Sequence, residues 1–225
     1  MKKITPYFLA LSLSIFFASC SSNETEVLDN NPEKLLQSYT LKRDANGAYS
    51  IDFNTSNNTD VTTVTNVDNS KEIILAETAQ KTATRHSNDF SIENDQLKIG
   101  FLESNNGKKT KIYVEDENIT FAKGVSEFLS TYSITANEDG TYQLNFTVND
   151  NVATDFTYNE ELETYEVHLS NGTSTQKTFS RQLEMNSVSK MLKLDFVNHK
   201  YSGKTEEEVA VERKPKSIII GDAVI

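Results

Sequence analysis

The chain has 225 residues, a formal net charge of −11 and one cysteine. So acidic a body is a poor partner for nucleic acid or for an anionic lipid surface. A single cysteine excludes an internal disulfide and any metal site built from several thiolates.

Lys2 and Lys3 precede a mostly apolar run, Phe8 to Ala18. That run is shorter than the ~20 residues a spanning helix needs, and it reads as the apolar part of a secretory leader. Two small residues, Ala18 and Ser19, then lead into Cys20. The order Phe17-Ala18-Ser19-Cys20 resembles the lipobox of bacterial lipoproteins, with Phe17 where Leu is usual. The resemblance implies a leader of residues 1–19, cleavage before Cys20 and acylation of its thiol. Acyl chains anchor a protein through ~0.8 kcal/mol per buried CH₂, and stable attachment takes more than one chain. The following "CSSNETE", with Glu24 and Glu26, looks like the acidic export signal of surface lipoproteins of Bacteroidota, and the Asn-, Thr- and Lys-rich composition is similar to that phylum. The location implied is the outer membrane, on its periplasmic or surface face.

Residues 20–38 read as a polar tether and a short helix. Asn31 is placed to cap it, Pro32 to open it, and Glu33 to supply its acidic first turn, with Leu35 or Leu36 packing below. From Tyr39 onward the pattern has period two. "TYQLNFTV" puts Tyr142, Leu144, Phe146 and Val148 on one face; "LKLDF" does so with Leu192, Leu194 and Phe196; "TYEVHL" with Tyr165, Val167 and Leu169. Alternation over this many segments predicts half-buried antiparallel strands.

The chain also repeats itself. "YTLKRDANGAYSIDF" at Tyr39 matches "YSITANEDGTYQLNF" at Tyr132. In the same order, "EIILAE" at Glu72 matches "EVHLSN" at Glu166, "QKTATR" at Gln80 matches "QKTFSR" at Gln176, and "LKIGF" at Leu97 matches "LKLDF" at Leu192. "GKKTKIYVE" at Gly107 is loosely similar to "GKTEEEVAVE" at Gly203. The expectation is an all-β chain of two tandem antiparallel β-sandwich domains of immunoglobulin-like size, residues 39–131 and 132–225, produced by internal duplication and holding ~7 strands each. The alternative is one larger structure to which each copy gives half. The partner of Ile218 to Ile220 distinguishes them. "AKGVSEFL" (122–129) reads as a helical turn, and "SIIIGDAVI" (217–225) as a final strand.

Register fixes the first hairpin of each copy. Tyr39 opposite Phe53 and Leu41 opposite Ile51 keep the apolar faces together and leave Ala45-Asn46-Gly47 as a three-residue loop. Tyr132 opposite Phe146 and Ile134 opposite Leu144 leave Glu138-Asp139-Gly140. Such loops end on a left-handed residue, here Gly47 or Gly140.

Chemical signatures are few. "DANG" and "NEDG" lack the spaced oxygens of a calcium loop. Gly203-Lys204-Thr205 lacks the phosphate-loop glycine, because position 198 is Asn198. His86, His168 and His199 stand at no ligand spacing and read as surface imidazoles. No catalytic residue, metal ligand or cofactor is expected. Lys81 with Arg85, and Lys177 with Arg181, form matched basic stripes that serve either an acidic ligand or ion pairing within an acidic protein. Phe156 and Tyr158 replace Thr63 and Thr65 of the first copy and could form a stacking platform.

The function expected is a lipid-anchored, exported, non-catalytic binding or scaffold module for a surface protein complex or a glycan. A carboxylate-dependent hydrolase and a structural spacer are the alternatives. Cys20→Ser is expected to release the protein from the membrane fraction, which fractionation under high salt reads directly.

Overall fold

The computed structural model of the protein describes residues 33–92, 94–117, 128–200 and 211–222. The leader, Cys20, residues 20–32, residues 122–127 and the Gly203–Thr205 stretch lie outside them. Fourteen strands run in chain order among the described residues: β1 Leu36–Arg43, β2 Tyr49–Thr55, β3 Thr59–Thr65, β4 Lys71–Glu77, β5 Arg85–Phe90, β6 Gln96–Glu103, β7 Lys109–Asp116, β8 Leu129–Ala136, β9 Tyr142–Val148, β10 Val152–Asn159, β11 Thr164–Asn171, β12 Thr178–Leu183, β13 Met191–Lys200 and β14 Val211–Gly221. They form a six-stranded sheet, β12-β9-β8-β1-β2-β5, and an eight-stranded sheet, β10-β11-β13-β14-β7-β6-β4-β3. The two sheets pack on a shared apolar core.

Alternation explains the packing. Tyr142, Leu144, Phe146 and Val148 are buried, and the residues between them are half-buried on the other face. Leu192, Leu194 and Phe196 are buried likewise. Tyr39 and Phe53 both contact the Phe101 ring, at 5.4 and 5.3 Å; Tyr132 and Phe146 contact Phe196 in the same way, at 5.3 and 5.9 Å.

The connectivity repeats. Outward from the centre, the smaller sheet reads β1-β2-β5 on one side and β8-β9-β12 on the other. The larger reads β7-β6-β4-β3 and β14-β13-β11-β10. Strands β1 to β7 thus take the same places as β8 to β14. The central pairs are self-complementary: Leu41 lies opposite Ile134 on β1 and β8, and Tyr113 opposite Ile219 on β7 and β14.

This arrangement corrects the expectation of two separate sandwiches. Ile218 pairs with Leu194 of its own copy and with Val114 of the other. Both sheets run through both copies, and the described strands belong to one compact unit. The physical reason is edge protection. Separate sandwiches would expose β1, β8, β7 and β14 as open edges, and pairing them satisfies those backbone groups.

Two smaller expectations also change. Leu36 to Ser38 are in strand β1, not in a helix. The N–H groups of Leu35 and Leu36, which a helix would use, point at the buried Glu103 carboxylate, 2.6 and 3.4 Å from its Oε2. The last repeat match is misaligned. Ile112 pairs with Ile99 and Ile218 with Leu194, so "KIYVED" (111–116) corresponds to "SIIIGD" (217–222).

Both hairpins have the register that alternation demands, Leu41 opposite Ile51 and Ile134 opposite Leu144. Gly47 donates to Asp44 O and Gly140 to Asn137 O, each at 3.1 Å. Their φ angles are 83° and 84°.

One end of the sandwich is closed by buried charge. Arg43 Nε donates to Asp116 Oδ2 at 2.9 Å, and the Tyr49 hydroxyl donates to the same oxygen at 2.7 Å. The Tyr132 hydroxyl donates to that of Tyr49 at 3.1 Å. Lys216 Nζ lies 3.5 Å from Asp116 Oδ1, and Arg43 Nη1 donates to Ser130 O. Burial and the Asp116 charge push the hydroxyls of Tyr49 and Tyr132 well above the usual phenol range. They therefore act as neutral donors at any physiological pH.

Arg43→Met is expected to lower the unfolding free energy by about 3 to 5 kcal/mol, because it removes one partner of a buried pair. Lys42→Met, at the exposed pair with Asp52, should change it by less than about 1 kcal/mol. Urea unfolding of the two variants checks both values. In the same assay Gly140→Val should cost about 1 to 2 kcal/mol, the strain of a β-branched residue held at positive φ.

Candidate ligand groove

The basic stripes and the aromatic pair fall in several places. Lys81 lies exposed in the β4–β5 connection, and Arg85 opens β5 opposite Asn54, also exposed. Lys177 is exposed and forms an ion pair with Asp150. Arg181 lies opposite Leu144 on the inward side of β12. The expected equivalence of Arg85 and Arg181 is off by three positions. Ile51 faces Asn88 where Leu144 faces Arg181, so Asn88 is the structural counterpart of Arg181.

That counterpart shows what Arg181 does. Asn88 Nδ2 donates to Thr63 Oγ1 at 3.1 Å, tying edge strand β5 to edge strand β3. In the second half the Arg181 guanidinium lies 5.8 Å from the Phe156 ring centroid, tying β12 to β10. Phe156 stacks on Tyr165 at 5.9 Å, and Tyr158 tilts against Tyr165 at 4.8 Å. The Tyr165 hydroxyl accepts the Glu184 N–H at 3.1 Å. Phe156 and Arg181 thus meet at the sandwich edge, and Tyr158 is the exposed ring of the three aromatics.

The histidines are closer together than their spacing implies. Parallel pairing of β11 and β13 brings His168 Nδ1 within 2.8 Å of His199 Nε2. His168 Nε2 lies 3.2 Å from Glu166 Oε2 and 3.1 Å from Thr157 Oγ1. Among the described residues no three His, Cys, Asp or Glu side chains converge on a metal position.

Next to this pair, the outer face of the larger sheet is closed by ion pairs. Lys214 Nζ lies 3.2 Å from Glu166 Oε1 and 3.1 Å from Asp195 Oδ2. Burial disfavours the charge on Glu166, but the Lys214 ammonium outweighs it and holds the carboxyl below its usual range. Burial likewise works against charged Lys214, and Asp195 and Glu166 outweigh it and raise its pKa.

The corresponding place in the first half is open. Glu72 takes the place of Glu166, and Gly100 that of Asp195. Without a side chain at Gly100, a groove of about 240 Å³ remains over β6 and its neighbours. Lys71, Lys98, Lys109 and Lys111 line it, with Tyr113, Ser70, Glu72 and Asp68. Gly100 lies opposite both Glu72 and Lys111, and Lys98 lies opposite Tyr113. Lys71 Nζ donates to Thr65 Oγ1 at 3.0 Å. Ser70 bonds the Asp68 carboxyl and, with Lys98 nearby, keeps it below its usual range. Lys98, Lys109 and Lys111 alternate onto the outer face with Gly100, beside the Glu72 and Asp68 carboxylates, in a protein whose net charge is −11. It can take an anion that lies flat on the strand.

Sequence reasoning passed over this groove. The signal was one letter, Gly100 of "LKIGF" against Asp195 of "LKLDF".

No family model, curated protein or solved structure matches the chain.

Proposed function

We propose that the protein is a lipid-anchored, exported, non-catalytic binding module of the outer membrane, and that its ligand is a carboxylated or sulfated glycan. The anchor is Cys20, and the two halves are duplicated copies of one ancestral unit. The observation that carries the ligand class is the Gly100 groove, where Lys98, Lys109 and Lys111 share the outer face with the bare backbone of Gly100. Ammonium groups on flexible stems suit an anion of irregular outline, and Tyr113 offers a ring edge beside them.

Position 100 gives a clean experiment. A Cβ built on Gly100 meets nothing closer than Glu72 Cγ at 4.0 Å, so a side chain fits there. Gly100→Asp copies the second half and places a carboxylate on the floor. Dextran sulfate is expected to bind the wild-type protein at low salt, and neutral dextran not to bind. Gly100→Asp should weaken dextran sulfate at least about tenfold with no fall in thermal stability. Calorimetric titration reads the affinity. Equal binding by the variant, or no binding by the wild type, overturns the glycan-anion reading.

A further inference from the structure

The two ends of the sandwich are built on one plan, and they differ in two residues that matter. At the closed end, Arg43 and Lys216 fill the space between the sheets and meet Asp116, Tyr49 and Tyr132. The repeat register gives the counterparts at the other end. Arg43 on β1 lies opposite Tyr132, and Ala136 on β8 lies opposite Tyr39. Tyr142 stands opposite Ala136 as Tyr49 stands opposite Arg43. The alignment of "KIYVED" with "SIIIGD" makes Asp222 the counterpart of Asp116, and Thr110 that of Lys216. The acid and both tyrosines are kept, and both cations are replaced by short side chains.

What remains there is a pocket of about 210 Å³. Tyr39, Tyr142, Asp222, Glu103, Ala136 and Thr110 are among the residues that line it. Its inner lining sets two carboxylates beside two phenols. The Tyr39 hydroxyl is buried without a close hydrogen bond, and burial and then the Tyr142 hydroxyl beside it raise its pKa. Asp222 adds a smaller upward shift at both Tyr39 and Tyr142. Glu103 is 2 % exposed and anchors the Leu35 N–H through Oε2. Lys34 and Lys108 stand at the exposed rim. The opposite end shows the group that completes this set, a guanidinium held by the Asp116 carboxylate, to which Tyr49 also donates while Tyr132 donates to Tyr49.

We propose that this pocket is a receptor for an aliphatic guanidinium group, the arginine side chain of a partner polypeptide, which takes the place that Arg43 takes internally at the other end. The site is independent of the anionic groove and lies between the sheets rather than on the outer face. Planar guanidinium has donors on several edges and can meet Asp222 and the tyrosine oxygens together, which a point ammonium cannot.

The experiment uses the mature chain and three probes: Nα-acetyl-arginine methylamide, free arginine, and Nα-acetyl-citrulline methylamide, the neutral isostere. The capped arginine is expected to bind saturably, the free amino acid more weakly, and the capped citrulline not at all. Binding of free arginine as tight as that of the capped form would overturn the polypeptide source in favour of a small-molecule one. Asp222→Asn, at an exposed position, should weaken the capped arginine at least about tenfold. Tyr39→Phe should weaken it while leaving the fold as stable or more so, which a purely structural hydroxyl would not do. Ala136→Arg should fill the pocket from inside and abolish binding, with dextran sulfate affinity unchanged. That last readout separates this site from the groove and shows that the variant is folded. Absence of saturable binding by the capped arginine, or binding that Asp222→Asn and Ala136→Arg both leave intact, overturns the proposal.

Discussion

The fold depends on two antiparallel contacts at its centre, β1 with β8 and β7 with β14. Each brings a strand against its own counterpart. Leu41 and Ile134 are fully buried there, as are Val114 and Ile220. A half without its partner would leave a central strand of each sheet unpaired and cut the common core in two. Unpaired edges of that length invite pairing with other chains. The same join explains why there is one core cluster, and why the aromatic triads of Tyr39, Phe53 and Phe101 and of Tyr132, Phe146 and Phe196 sit as equivalent parts of it.

On such a scaffold the departures from equivalence carry the chemistry. Phe146 stacks on Phe179 in one half and Phe53 on His86 in the other, with rings 4.9 and 4.8 Å apart. That exchange keeps the packing. Asn88 to Thr63 and Arg181 to Phe156 both bridge the sheet edges by different forces. Those exchanges also keep the job. Gly100 against Asp195 does not, nor does Ala136 against Arg43. In both, one half fills a space with its own charged groups and the other leaves it open.

Much of this was legible in local patterns. Alternation located the strands, and the need to keep apolar faces together set the hairpin registers and the left-handed glycines. The collinear repeats were visible too. What could not be read was any property decided by a distant partner. Nothing in "SIIIGD" announces that it pairs on both sides. "QKTATR" and "QKTFSR" match in letters, yet the structure shifts them by three residues, because the first lies in a connection and the second runs into β12. Asn31-Pro32-Glu33 spells a helix start, but the Glu103 carboxylate captures the N–H groups that the helix needs. His168 and His199, 31 residues apart, meet only because β11 and β13 run parallel. Gly100 was in plain view inside a matched segment, and its meaning required knowing that Asp195 pairs with Lys214.

The net charge sets how the two open sites act. A body at −11 attracts cations from a distance and repels anions. Approach of an arginine to the Asp222 pocket is therefore helped by the whole molecule, and it slows as salt screens the field over about 8 Å. An anion of the kind proposed for the Gly100 groove approaches against that field, so its hold rests on short-range contact with Lys98, Lys109 and Lys111. Salt then has two opposed effects there, relieving the long-range repulsion while weakening the local attraction. The groove is for that reason the more tolerant of ionic strength, and the pocket the more sensitive. For the two ligands proposed, one acidic surface thus implies different reach: recruitment over a distance at the pocket, and selection on contact at the groove.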